Sequence, residues 1–139
     1  MDTKKFLLAT LAGFVGSNIA YFVVEGFILK SYMASAIYEP TGAAAEGSLI
    51  YPLIAVLFMN VIMACIYPKG YSGGTPAVEG LRFGVLMGLF AGVPFGFFFG
   101  SMFPIGLMPI LVLALAYTIE VSAAGICIGL VYGKINQTS

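Results

Sequence analysis

The stretch Gly80-Leu81-Arg82-Phe83-Gly84-Val85-Leu86-Met87-Gly88-Leu89-Phe90-Ala91-Gly92-Val93-Pro94-Phe95-Gly96-Phe97-Phe98-Phe99-Gly100 carries glycine at every fourth position from 80 to 100. On a helix rising 1.5 Å per residue it spans about 30 Å, the hydrocarbon thickness of a bilayer. Helices in lipid associate through van der Waals contact, so small residues at this spacing mark a face that a neighbouring backbone approaches closely. Four residues turn a helix by about 400°, so the stripe drifts by about 40° per step and winds about halfway round its helix. This drift predicts that Gly80–Gly88 and Gly92–Gly100 meet different neighbours.

Composition extends that reading to the whole chain. Of 139 residues, 60% are hydrophobic and 9% charged, and the mean hydropathy is +1.04. No water-soluble core of this length would absorb so much apolar sequence. The expected fold is all-α: one integral membrane domain over 1–139, a four-helix bundle with spans near 6–29, 49–67, 81–103 and 110–133 and glycine-mediated packing of the third and fourth helices. Gly125, Gly129 and Gly133 repeat the four-residue spacing in the last span.

Punctuation separates the spans. The first follows Lys4 and Lys5. Its apolar run is longer than a signal-peptide core, so it is expected to stay as a helix, although Met33-Ala34-Ser35-Ala36 offers small residues for cleavage. A polar loop over 30–48 contains Glu39-Pro40 and an alanine run with room for one interfacial turn. Pro52 falls in the first turn of the second span, where a missing N–H costs little, and Pro68 with Lys69 closes it. Pro94 removes its own N–H from the third helix and is expected to kink it near Phe90. Lys5-Phe6 and Arg82-Phe83 open glycine-containing spans on the same side, a faint internal echo of two parallel hairpins.

With four spans, Lys4, Lys5, Lys69, Arg82 and Lys134 share one side and Lys30 alone lies on the other. The positive-inside rule then puts both termini in the cytoplasm, in a single orientation. Tyr32, Tyr38 and Tyr51 flank the outer face and Tyr67, Tyr71 and Tyr132 the inner one, as interfacial belts do. The expected location is a bacterial cytoplasmic (inner) membrane.

Polar groups at depth are the candidates for chemistry. Counted from the ends of their spans, Asn18, Asn60 and Glu120 fall near the midplane, and Tyr21 and Tyr117 lie one turn outward of Asn18 and Glu120. An intramembrane carboxyl costs about 2.5–3.5 kcal/mol on insertion scales and is a functional-site hypothesis by default. In a structural reading Glu120 stays neutral and hydrogen-bonds to an asparagine or tyrosine across the bundle. In a functional one it cycles a proton or holds a cationic or polar solute. Glu25, about one turn from the outer end of its helix, reads as solvated, leaving no second acidic residue at the depth of Glu120.

Other chemistry is scarce. There is no histidine, and Cys65 and Cys127 inside spans read as reduced packing residues. Phosphate-loop, Cys-x-x-Cys and Ser/His/Asp patterns are missing, so no enzyme activity, metal or cofactor is expected. Six Lys and Arg residues, five of them spread along one membrane face, do not make a nucleic-acid surface. Partners are expected to be the lipid bilayer, a second copy or another membrane protein, and in the functional reading of Glu120 a small solute.

Lys4-Lys5-Phe6-Leu7-Leu8-Ala9-Thr10-Leu11-Ala12-Gly13, Glu79-Gly80-Leu81-Arg82-Phe83-Gly84 and Gly125-Ile126-Cys127-Ile128-Gly129-Leu130-Val131-Tyr132-Gly133-Lys134 together resemble small four-helix bacterial inner-membrane proteins of the DUF1761-like type. The resemblance implies an inner-membrane bundle and supplies no catalytic or binding residue. Small multidrug-resistance transporters share the size but keep a glutamate deep in the first helix, where this chain has Asn18. Three functions are expected in order: a structural or accessory subunit packing through its glycine faces, a small transporter or channel using Glu120 with Asn18 and Asn60, and a lipid or quinone-like ligand site beside Gly92 and Pro94.

Overall fold

The computed structural model describes residues 2–32, 49–102 and 106–136, which are helical with short connections. Four helices are long and apolar enough to cross a membrane, which makes this a multi-pass membrane protein. They are α1 (Thr3–Val23, prolonged by a π-helical turn over Val24–Ile28), α2 (Ile50–Gly70), α3 (Pro76–Met102) and α4 (Leu107–Asn136). The possible cleavage site, the alanine-run turn, Tyr38, and Glu39 and Glu46 of the long loop lie outside the described residues.

Each helix overruns the limit that hydropathy sets, because apolarity marks the bilayer and capping marks the helix. Asp2 caps α1, its Oδ1 accepting from the Lys4 amide at 3.0 Å. The α3 helix opens at Pro76, five residues before the apolar stretch, with a residue suited to a first turn. The Glu79 amide donates back to the Thr75 carbonyl at 2.9 Å, and the Glu79 carboxylate accepts from Ser72 Oγ at 2.8 Å. Before it, Gly73 takes a φ of +87°, which a side chain would resist. Helix α2 runs through Pro68 to Gly70 instead of stopping at Pro68, and α3 runs unbroken through Pro94.

The bundle is organised around α4. That helix packs along the lengths of α1 and α3 and touches α2, while α3 rests almost wholly on α4. A β-carbon at Gly84 would stand 2.6 Å from Ser122 Cα, one at Gly88 2.7 Å from Thr118 Cα, and one at Gly92 2.9 Å from Tyr117 Cδ1. Gly80 meets the Gly125 carbonyl, and even Gly96 faces Ile110. All five therefore face one helix, which corrects the expectation of two neighbours: α4 follows the winding of the stripe instead of leaving it. Its own contribution is wider than glycine, since Ile110, Ala114, Thr118, Ser122, Gly125, Gly129 and Gly133 form the opposing row.

On its other side α4 receives the glycines of α1. A β-carbon at Gly13 would reach Ile128 at 2.9 Å and one at Gly16 would reach Cys127 Sγ at 2.6 Å. The two helices that echo each other in sequence thus both present glycine to α4, from opposite flanks.

At the end where Lys4, Lys5, Lys69 and Arg82 gather, Tyr67 stacks on Tyr132 (centroids 5.6 Å apart) and meets Phe83 edge-on at 5.3 Å. Tyr67 is 2% exposed and Tyr132 9%. These rings were expected to ring the interface; they instead lock α2, α3 and α4 together, and the Tyr132 hydroxyl donates to the Ala64 carbonyl at 2.9 Å. Exposed side chains such as Phe90, Phe95 and Phe98 face outward, where lipid covers them.

Candidate functional site

Toward the opposite end, α1, α2 and α4 enclose a partly open crevice of about 170 Å³. Ser17, Asn18 and Tyr21 line it from α1, Pro52, Leu53, Val56 and Met59 from α2, and Tyr117, Glu120 and Val121 from α4. Four of the five polar residues singled out in the sequence therefore share one cavity. Three helices converge there because α4 leans on both α1 and α2, while α3 is held on the far side.

Asn60, the fifth, does not line the crevice. It is fully buried, and its Nδ2 donates to Ser17 Oγ at 3.2 Å and to the Val56 carbonyl at 2.8 Å. Its Oδ1 has no hydrogen-bond partner among the described residues and sits against Gly13. Asn60 thus fixes α2 to α1 behind the cavity wall. Ser17, which the sequence reading passed over, is the link: its hydroxyl donates to the Phe14 carbonyl at 3.1 Å while accepting from Asn60.

Other wall groups are spoken for. Asn18 Nδ2 donates to the Phe14 carbonyl at 2.8 Å, and the Tyr117 hydroxyl donates to Met59 Sδ at 3.1 Å. Glu120 differs. It is 9% exposed, and its Oε1 is buried with no hydrogen-bond partner among the described residues. A carboxyl oxygen left without a partner in lipid carries a desolvation cost that a ligand, a water or a proton donor would relieve.

Glu25 lies beyond the lining of this crevice. The π-helical turn, closed by Leu29 N–H donating to the Val24 carbonyl at 2.8 Å, carries Glu25 half-buried beside α4. It stands one helical turn beyond Tyr21, on the turn that touches α4. Glu25 is thus half-buried instead of fully solvated, and it does not join Glu120 in the crevice lining.

Elsewhere the crevice anticipated beside Gly92 and Pro94 is covered on the Gly92 side by Tyr117. Cys65 and Cys127 are free thiols, and no group of three or more cysteine, aspartate or glutamate side chains gathers among the described residues. The chain matches no protein-family model, no curated protein and no solved structure.

Proposed function

We propose that this chain is a small solute-handling membrane protein of transporter or channel type, with Glu120 in the crevice between α1, α2 and α4 as its working group. The observation that carries the reading is the buried, unpartnered Glu120 Oε1 beside a cavity of about 170 Å³. A purely structural glutamate would bond to its neighbours across the bundle, yet Asn18, Asn60 and Tyr117 direct their donors elsewhere.

The structural reading allowed the glycine faces to pack among themselves or against a partner; Gly80 through Gly96, with Gly125, Gly129 and Gly133, pack within the chain, which favours the first form over an accessory subunit. The remaining functional picture is non-enzymatic, with a bacterial inner-membrane setting and cytoplasmic termini supported by the bias of basic residues to one end. The kinship with DUF1761-like proteins is retained as a proposal on the three matching segments.

The test is proton entry into proteoliposomes under a potassium diffusion potential, read with an interior pH dye. Glu120→Gln, checked for intact helicity and monodispersity, is expected to lower the protein-dependent rate at least tenfold. An equal rate in the variant overturns the reading.

A further inference from the structure

Resting on that reading, we infer that the crevice binds a small organic ammonium ion, its charge held by Glu120 and its apolar body lodged against Pro52, Leu53 and Val56. The geometry supplies each part of such a site. Glu120 is nine-tenths buried, lines the cavity and keeps an oxygen without a partner among the described residues.

The counter-charge does not come from the chain. Five of its six basic residues, Lys4, Lys5, Lys69, Arg82 and Lys134, belong to the other end of the bundle, and Lys30 is exposed past the end of the π turn. A carboxylate at this depth without a cation is costly, and a bound ammonium offsets that cost while donating hydrogen bonds. Anions are excluded by the same charge.

The walls select what accompanies the charge. Apolar area dominates the lining, with Leu49, Pro52, Leu53, Val56 and Val121 beside the polar residues, so a bare, strongly hydrated metal ion gains little there. Tyr21 and Tyr117 add two aromatic rings to the same wall, a residue type that attracts cations. The cavity of about 170 Å³ is close to the roughly 150 Å³ that holds a benzene ring, which fits an amine with a single-ring or short alkyl body.

Protection from a hydrophobic carbodiimide tests this on the whole protein in lipid nanodiscs. Dicyclohexylcarbodiimide adds to Glu120, located by peptide mass spectrometry, and benzylammonium is expected to slow the addition at least tenfold while benzyl alcohol, of the same shape without charge, does not. Equal protection by the alcohol, or none by the amine, overturns the inference. Equilibrium dialysis of benzylamine against protein-loaded and empty nanodiscs gives a second readout, and no excess retention overturns it too. Glu120-dependent proton entry persisting beside such a failure leaves the solute-handling reading standing and removes only the amine; loss of both removes both.

Discussion

Tyr132 of α4 donates its hydroxyl to the carbonyl of Ala64 in α2, the acceptor four residues before Pro68 that proline cannot serve. A residue in one helix thereby completes the hydrogen-bond ladder of another. Tyr132→Phe is expected to leave a buried carbonyl unsatisfied and to lower stability by about 1–3 kcal/mol, read from unfolding in detergent micelles. In a Pro68→Ala background the backbone N–H returns and the same substitution is expected to cost much less. An unchanged cost would show that the hydroxyl is not standing in for the missing amide.

Tyr67, stacked on that same ring, gives the opposite expectation. Its hydroxyl is buried and has no hydrogen-bond partner among the described residues. Tyr67→Phe keeps the ring contacts and removes the orphan group, so stability is expected to stay level or rise. A loss of more than about 1 kcal/mol would point to a partner for that oxygen.

The glycines of α3 are expected to differ from one another. A methyl at Gly84 would strike the α4 backbone at 2.6–2.7 Å, whereas one at Gly96 would stand 3.4 Å from Ile110 Cγ2. Gly84→Ala is expected to destabilise by about 1–3 kcal/mol through overpacking. Gly96→Ala is expected to be neutral or to gain up to about 1 kcal/mol from better helix propensity. Thermal unfolding of the two variants side by side checks the ordering, and equal effects would contradict it.

Ser17 and Asn60 form the polar bond between α1 and α2. A double-mutant cycle with Ser17→Ala and Asn60→Ala is expected to give a coupling of about 0.6–1.7 kcal/mol, the range for hydrogen bonds between membrane helices. The single change at Asn60 is expected to cost more than its share of that coupling, since it also removes the bond to the Val56 carbonyl and opens space beside Gly13. A coupling near zero would mean the contact does not form in lipid.

Four helices and the tight pairing of α3 with α4 were legible in the sequence for a physical reason: lipid forces backbone groups to bond within a helix, and close approach demands small residues. The spacing of Gly80 to Gly96 carried that information directly. It did not name the partner for the outer half, since a winding stripe is compatible with two straight neighbours or with one that follows it. The opposing row was half visible for a related reason, as Ala114, Thr118 and Ser122 work as small residues without being glycine. Depth counting brought Asn18, Asn60 and Glu120 to one level with Tyr21 and Tyr117 a turn outward; all but Asn60 line one crevice, and Asn60 lies buried behind its wall. It missed Ser17, whose hydroxyl is commonplace in a helix, and the π turn that carries Glu25, which residue spacing does not announce.

The central place of α4 also sets an order of events at the ribosome. The helix that joins α1, α2 and α3 is the last of the four to be made, and at about 5–20 residues per second its 30 residues take roughly 2 to 6 s to synthesise. Until then Gly16 of α1 and the glycine stripe of α3 lack the helix they pack on. Assembly of the bundle is therefore a late step, completed when the final segment enters the bilayer between two helices already waiting there.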